Sequence, residues 1–152
     1  MSVTVTPGDP LSPEARALLG ASAAMMMDRY PAEVNYSMAP EDLDDPRIQF
    51  FLAMSGGQAI GCAALATRDG YGEIKSMFVA PEARGLGAGA ALMQALEAFA
   101  REKGLPILRL ETGPDLISAC ALYEREGFAI RGPFGDYLDD PLSRFYEKPL
   151  RA

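Results

Sequence analysis

Val3-Thr4-Val5 alternates apolar and polar positions with the period of two that marks a strand, and it predicts a short first strand. The period then lengthens. Ala15, Leu18, Leu19, Ser22, Met25 and Met26 recur at helical spacing and predict a helix over about 13–29. Its start is marked by Ser12-Pro13-Glu14: a hydroxyl to cap free amides, a proline at the first helical position, and an acid near the positive end of the helix dipole. Tyr30 to Pro46 is polar and turn-rich, with one short helix near Pro40–Asp44. Three strands follow over about 47–54, 58–67 and 73–80, joined by hairpin turns at Ser55-Gly56-Gly57 and Asp69-Gly70.

The pattern changes again after residue 80. Leu92, Met93, Leu96, Phe99 and Ala100 form one apolar stripe, with Gln94, Glu97 and Arg101 opposite, so a helix is expected over about 87–103 and ends at Gly104. A strand over 107–112, a helix over 116–126 stopped by Gly127, and strands over 128–131 and 143–148 complete the chain. An antiparallel meander feeding a β-α-β unit is a mixed α/β (α+β) arrangement. No repeat, linker or low-complexity tract divides the chain, so residues 1–152 are expected to form a single domain.

Composition narrows the chemistry. The 152 residues carry 14 basic and 21 acidic side chains, a net charge of −7, with 9 acids against 4 bases in the first 70 residues. No basic stripe is present, which argues against nucleic acid as a partner. The chain has no histidine, which removes histidine-based zinc sites, Ser-His-Asp triads and Cys-His pairs, and no metal is expected. Cys62 and Cys120 lie among alanines and leucines and read as small core residues. No apolar run approaches the ~20 residues of a membrane span, and the N-terminus lacks a charged-then-apolar leader, so the expectation is a cytoplasmic protein with no membrane partner.

The most informative segment is Val79-Ala80-Pro81-Glu82-Ala83-Arg84-Gly85-Leu86-Gly87-Ala88-Gly89-Ala90, between a strand and an amphipathic helix. Successive amides at a helix N-terminus make an anion pocket, and glycines let the backbone approach a phosphate. Arg84 adds a planar cationic fork. Three readings compete. The loop is a glycine-rich turn with no ligand, or it is a dinucleotide fingerprint, since Gly85-x-Gly87-x-x-Ala90 fits G-x-G-x-x-A with Glu111 near the expected ribose-binding position.

The third reading is a resemblance. V-x-P-x-x-R-G-x-G-x-G, as Val79 to Gly89, resembles the acetyl-CoA pyrophosphate loop of the GNAT superfamily of N-acetyltransferases. Ala119-x-x-Leu122-Tyr123-x-x-x-Gly127-Phe128 resembles that family's later helix and strand. Glu73-Ile74-Lys75-Ser76-Met77, Leu110-Glu111-Thr112-Gly113 and Phe134-Gly135-Asp136-Tyr137 look like a small bacterial subgroup. The resemblance implies a mostly antiparallel central sheet with helices on both faces. It also implies acetyl-CoA as co-substrate, bound by the backbone of Met77, Phe78 and Val79 and by Arg84, Gly85, Leu86, Gly87, Ala88 and Gly89. Many members carry asparagine seven residues before the helix tyrosine, where this chain has Leu116; either Ser118 is the replacement or the polar contact is absent.

Transfer of acetyl from a thioester to an amine needs a polarised carbonyl, a neutral amine and a protonated leaving group. Tyr123, at the family position, is the candidate acid, against a packing tyrosine on a helix face. Glu73 is the candidate base, because it lies four residues before Met77 and so on the same strand face, against a solvated strand-end acid; Lys75 shares that face and would lower its basicity. Glu111 is the second carboxylate considered. Arg109, Arg125 and Arg131 read as surface charges. Met25-Met26-Met27 is core packing or an adaptable wall. Asp136, Tyr137, Asp139 and Asp140 form a solvated loop or line the acceptor site, which Tyr30 and Tyr36 would cover. The acceptor is expected to be an amine of a small molecule or a peptide. The alternative is a non-catalytic CoA-binding regulatory domain, and a homodimer through sheet edges is compatible with either.

Overall fold

Ser12 Oγ accepts the Ala15 amide at 3.3 Å and caps α1 (Pro13–Arg29), where the Ser-Pro-Glu signal placed the helix start. The computed structural model describes residues 2–32 and 35–150, so positions 33 and 34 of the irregular segment after α1 lie outside the described residues. The remaining helices are α2 (Pro40–Leu43), α3 (Ala88–Glu102) and α4 (Ile117–Arg125), with a short 3-10 turn at Pro81–Ala83. The strands are β1 (Thr4–Pro7), β2 (Ile48–Ser55), β3 (Gln58–Thr67), β4 (Gly72–Val79), β5 (Ile107–Thr112), β6 (Ala129–Arg131) and β7 (Arg144–Pro149). Each lies within two residues of its expected place, the usual scatter of element ends.

All seven strands form one sheet in the order β1-β2-β3-β4-β5-β7-β6. β4 and β5 pair in parallel and the other pairs are antiparallel. A doubly wound sheet is mostly parallel, whereas here only the β4–β5 pair is, so this topology excludes the dinucleotide-fold reading of the glycine loop. The parallel pair requires a crossover, and α3 supplies it. In β3, Ile60 and every residue from Cys62 to Ala66 are buried, so both faces of that strand are covered, and both α1 and α3 pack on it. Leu92, Met93 and Leu96 of α3 are fully buried, each worth on the order of 1.5–3 kcal/mol in transfer free energy. Cys62 and Cys120 are buried free thiols, and burial pushes the Cys62 thiol up to about 12.

Two irregularities set the geometry of the site. The first is a bulge. Cys62 pairs with Phe78, but Ala64 pairs with Lys75, so β4 uses one residue more than β3 across that interval. Ser76 lies inside the bulge with φ +56°, a left-handed conformation uncommon outside glycine, and its carbonyl accepts the Cys62 thiol at 3.4 Å. The second is the short β4–β5 ladder. Only Gly72, Glu73 and Ile74 pair with β5, opposite Leu108, Arg109 and Leu110. Beyond them β4 stays with β3 as far as Val79, and β5 stays with β7 as far as Thr112. The two strands part, and the sheet is forked at its centre.

Candidate active site

A cavity of about 100 Å³ lies in the fork. Lys75, Ser76 and Met77 of β4 line it, with Leu110, Glu111 and Thr112 of β5 and Tyr123 of α4. α1 closes it with Met25 and Met26, and the segment after α1 contributes Tyr36 and Met38. Met25 and Met26 therefore act as an adaptable wall, while Met27 is three-quarters exposed. Past Ile74, the edge of β4 turned away from β3 has no strand partner among the described residues, so backbone groups of the Met77–Val79 stretch are available to an extended ligand.

The glycine loop leads from the end of β4 to the start of α3. Gly85 and Gly87 have φ +88° and +85°, which only glycine adopts without strain, and a Cβ at either would meet nothing within 4 Å. Gly87 is the N-cap of α3 and supplies no side-chain cap, and the first turn contains no acid. The first amides of α3 therefore point outward as donors, backed by the dipole of a 15-residue helix. Arg84, Gly85, Leu86 and Gly87 are exposed around this helix end, whereas Ala88 is buried beneath it. Gly89 has a packing role besides its first-turn amide: a Cβ there would lie 2.9 Å from Leu122 Cδ2, so this glycine lets α3 approach α4. Phe78 is buried in the core, which leaves only its backbone for a ligand.

Tyr123 is buried against Phe128 and Tyr146, with ring centroids 6.0 and 5.8 Å away, and faces the cavity. Burial raises its phenol well above the ordinary value, with smaller contributions from Cys120 and Glu111. The rings orient it, and no hydrogen bond engages its hydroxyl among the described residues. Ser118 is exposed on the first turn of α4 and is not part of the cavity wall; Leu116, at the asparagine position, is.

The carboxylates are arranged differently from the expectation. Glu73 is not a solvated strand end. Its side chain is 5% exposed, its carboxylate is 3.0 Å from Arg68 and 3.7 Å from Lys75, and it accepts the Tyr137 hydroxyl. It lies behind the cavity wall, and the bulge at Ser76 interrupts the alternation that would have put it on the face of Met77. Glu111 reaches the cavity itself. Burial raises its carboxyl above the ordinary value, opposed by the Ser143 hydroxyl, which donates to it at 2.7 Å, and by the nearby Lys75 charge. Burial also lowers the Lys75 ammonium, opposed first by Glu73. Clustered, environmentally shifted groups in a cleft mark a functional site.

Tyr137 reaches this cluster from the loop before β7, where it accepts from Lys75 Nζ at 2.8 Å, while Asp136 and Asp139 stay in solvent. Tyr36 stacks edge-on against Tyr137 with centroids 4.7 Å apart. Tyr30 does not cover the cavity. It packs on Gly113 and donates to Asp115, and Arg29 pairs with Asp115 at 3.1 Å, locking α1 to the loop before α4. Arg109 and Arg131 are not simple surface charges either, since both pair with Glu147. Among the described residues, no cluster of three His, Cys, Asp or Glu side chains is placed to hold a metal ion, and no helix is long and apolar enough to cross a membrane.

The model of the acetyltransferase (GNAT) family matches residues 19–128. An IAA acetyltransferase of Azospirillum brasilense is 44% identical over 151 residues, covering 98% of this chain and 99% of that one. A Klebsiella pneumoniae structure assigned as an acyl-CoA N-acyltransferase is 36% identical, with TM-score 0.82 and 98% of both chains covered. A GNAT family acetyltransferase of Elizabethkingia anophelis, solved with acetyl-CoA bound, shares the fold at 21% identity and TM-score 0.67 over 98% of this chain and 99% of that one.

Proposed function

The chain belongs to the acetyltransferase (GNAT) family and is an acetyltransferase, and from that premise we propose that it moves acetyl from acetyl-CoA to a primary amine of a small molecule by direct attack with both substrates bound. The observation that carries the reading is the uncapped N-terminus of α3 at the end of the strand that forms one wall of the fork. Acetyl-CoA has a diphosphate that suits those amides and Arg84, and an extended arm that suits the free edge of β4 at Met77, Phe78 and Val79. That route ends at the cavity that Tyr123 and Glu111 line. The reading as a non-catalytic CoA-binding domain is set aside by the acetyltransferase relatives.

The chemistry then follows from the residues. An amine arrives mostly as ammonium, and Glu111 takes one proton. Its raised carboxyl is closer in basicity to that task than an ordinary one, and one of its oxygens is not used by Ser143. The C–N bond forms as the C–S bond breaks. Full transfer from the Tyr123 phenol to a thiolate of pKa ~8.5 is uphill, so Tyr123 donates a hydrogen bond to the leaving sulfur. The sulfur leaves as a thiolate held by that hydrogen bond, the proton shed by the attacking nitrogen passes to it to give free thiol, and the proton on Glu111 returns to solvent. A backbone amide in Met77–Val79 faces the carbonyl oxygen, a role suited to a fixed donor. Ser118, on the exposed first turn of α4, contacts the coenzyme from outside the cavity. Glu73 holds Lys75 and Tyr137 in place rather than touching substrate. The small cavity favours a small molecule over a peptide.

The test is amine-dependent release of free thiol from acetyl-CoA, with the acetylated amine identified by mass. Thiol release that requires amine is the expected result. Binding of acetyl-CoA with no amine-dependent release across a broad panel would overturn the reading.

A further inference from the structure

Tyr36 half-buries its ring in the cavity wall, and its hydroxyl oxygen is sealed from solvent with no hydrogen-bond partner among the described residues. A buried hydroxyl left unpaired costs on the order of 1–3 kcal/mol, which makes it unusual enough to need a reason. Its ring stacks on Tyr137, and Tyr137 is also the residue that receives Lys75 Nζ at 2.8 Å. Tyr36 and Lys75 therefore meet around one side chain and line the same cavity.

Glu73 stands between two cations, Arg68 at 3.0 Å and Lys75 at 3.7 Å, and one carboxylate neutralises one of them. The other acid nearby is Glu111, which lines the same cavity and accepts the Ser143 hydroxyl at 2.7 Å. The Lys75 side chain is only 12% exposed and reaches the cavity wall, and burial lowers its ammonium against the charges of Glu73 and Glu111. An ammonium has three donors: Tyr137 accepts one at 2.8 Å, and Glu73 at 3.7 Å is an ion pair beyond hydrogen-bond distance.

We propose that Tyr36 and Lys75 form a carboxylate-binding corner of the acceptor cavity, so that the acceptor amine also carries an acid group. This inference rests on the acetyl-transfer reading of the cavity. The acceptor's carboxylate takes a spare Lys75 donor and the Tyr36 hydroxyl, and its amine lies toward Glu111. Its body packs on Met25, Met26 and Met38, which fit an apolar side chain of variable shape. The acceptor class is an apolar amino acid.

The test compares L-leucine, L-methionine and L-phenylalanine with the amines that lack only their carboxylates, using thiol release for turnover and thermal shift for acetyl-CoA binding. At least one amino acid should be acetylated with kcat/KM about tenfold or more above its decarboxylated partner, since a hydrogen-bonded charge commonly contributes that much. Tyr36→Phe removes the unpaired hydroxyl without removing any bond present in the protein, so it should fold. It should raise the amino-acid KM about tenfold while moving the acetyl-CoA KM far less, and Lys75→Met should shift preference toward the decarboxylated amine. Equal or better use of the decarboxylated amines, an unchanged amino-acid KM in Tyr36→Phe, or acetyl-CoA binding with no amino acid acetylated would each overturn the corner while leaving the family chemistry intact. Failure to bind acetyl-CoA at all would overturn the reading beneath it as well.

Discussion

Ile74 stands opposite Leu110 in the last pair of the parallel β4–β5 ladder, and the next residue of each strand, Lys75 and Glu111, already lines the cavity. The ladder stops there because β4 bulges toward β3 at Ser76 while β5 remains in register with β7 to Thr112. Backbone that would otherwise pair across the fork is left available to a ligand, and the two ionisable side chains that close the ladder become the polar floor of the site.

Ser76 holds this bulge at φ +56°. Ser76→Gly should stabilise the protein by up to about 1 kcal/mol, because glycine tolerates the left-handed region. Ser76→Val should destabilise it by roughly 1–3 kcal/mol and reduce turnover, because a β-branched residue drives the backbone out of that region and closes the bulge. Urea denaturation of the three proteins checks the order, which should run glycine, serine, valine.

Gly87 and Gly89 look alike in the sequence and should behave differently. Gly87→Ala places a Cβ at φ +85°, should cost about 1–2 kcal/mol, and should raise the acetyl-CoA KM because it disturbs the helix end that holds the diphosphate. Gly89→Ala brings a Cβ against the movable end of Leu122 at 2.9 Å and should chiefly lower the melting temperature. Paired KM and melting measurements separate the two effects.

Tyr123→Phe keeps the ring packing against Phe128 and Tyr146 and removes only the hydroxyl. The kcat should fall about a hundredfold, the low end for loss of a positioned proton donor, with the melting temperature and acetyl-CoA binding close to wild type. An undiminished kcat would show that the phenol is a packing group.

Glu111 links activity and stability with opposite signs. Burial raises its carboxyl above the ordinary 4.5, so the folded state binds a proton more tightly than the unfolded chain. Its contribution to stability is therefore fully present below that value and is lost as pH rises through the folded pKa. Activity should rise over the same window as the base ionises. Glu111→Gln should abolish that acid limb in kcat and lower turnover sharply. Its melting temperature should exceed that of wild type at neutral pH, with the difference vanishing in acid. Melting curves and kcat profiles across that range check both signs.

The sequence made the helices and the family motif legible because their signals are local. Ser12-Pro13-Glu14 marks the start of α1, Gly104 and Gly127 stop α3 and α4, and Gly85 and Gly87 announce a left-handed turn before α3. The bulge was hidden because Ser76 carries no glycine or proline to mark it. Glu73 was misplaced for the same reason, since counting by twos along β4 fails across an inserted residue. Tyr137 reaches Lys75, and Tyr36 reaches Tyr137, from distant parts of the chain, and no local pattern encodes a contact across 62 residues. The second carboxylate, Glu111, is visible as a strand-end acid, but that it lines the cavity while Glu73 lies behind the wall is decided by packing alone.

A crystal structure with acetyl-CoA bound tests the central claim most directly. The diphosphate should lie within hydrogen-bond distance, roughly 3 Å, of the amides at the start of α3, with the thioester sulfur in the fork beside Tyr123 and the arm along Met77 to Val79. A diphosphate bound away from that helix end, or a thioester outside the fork, would contradict the account.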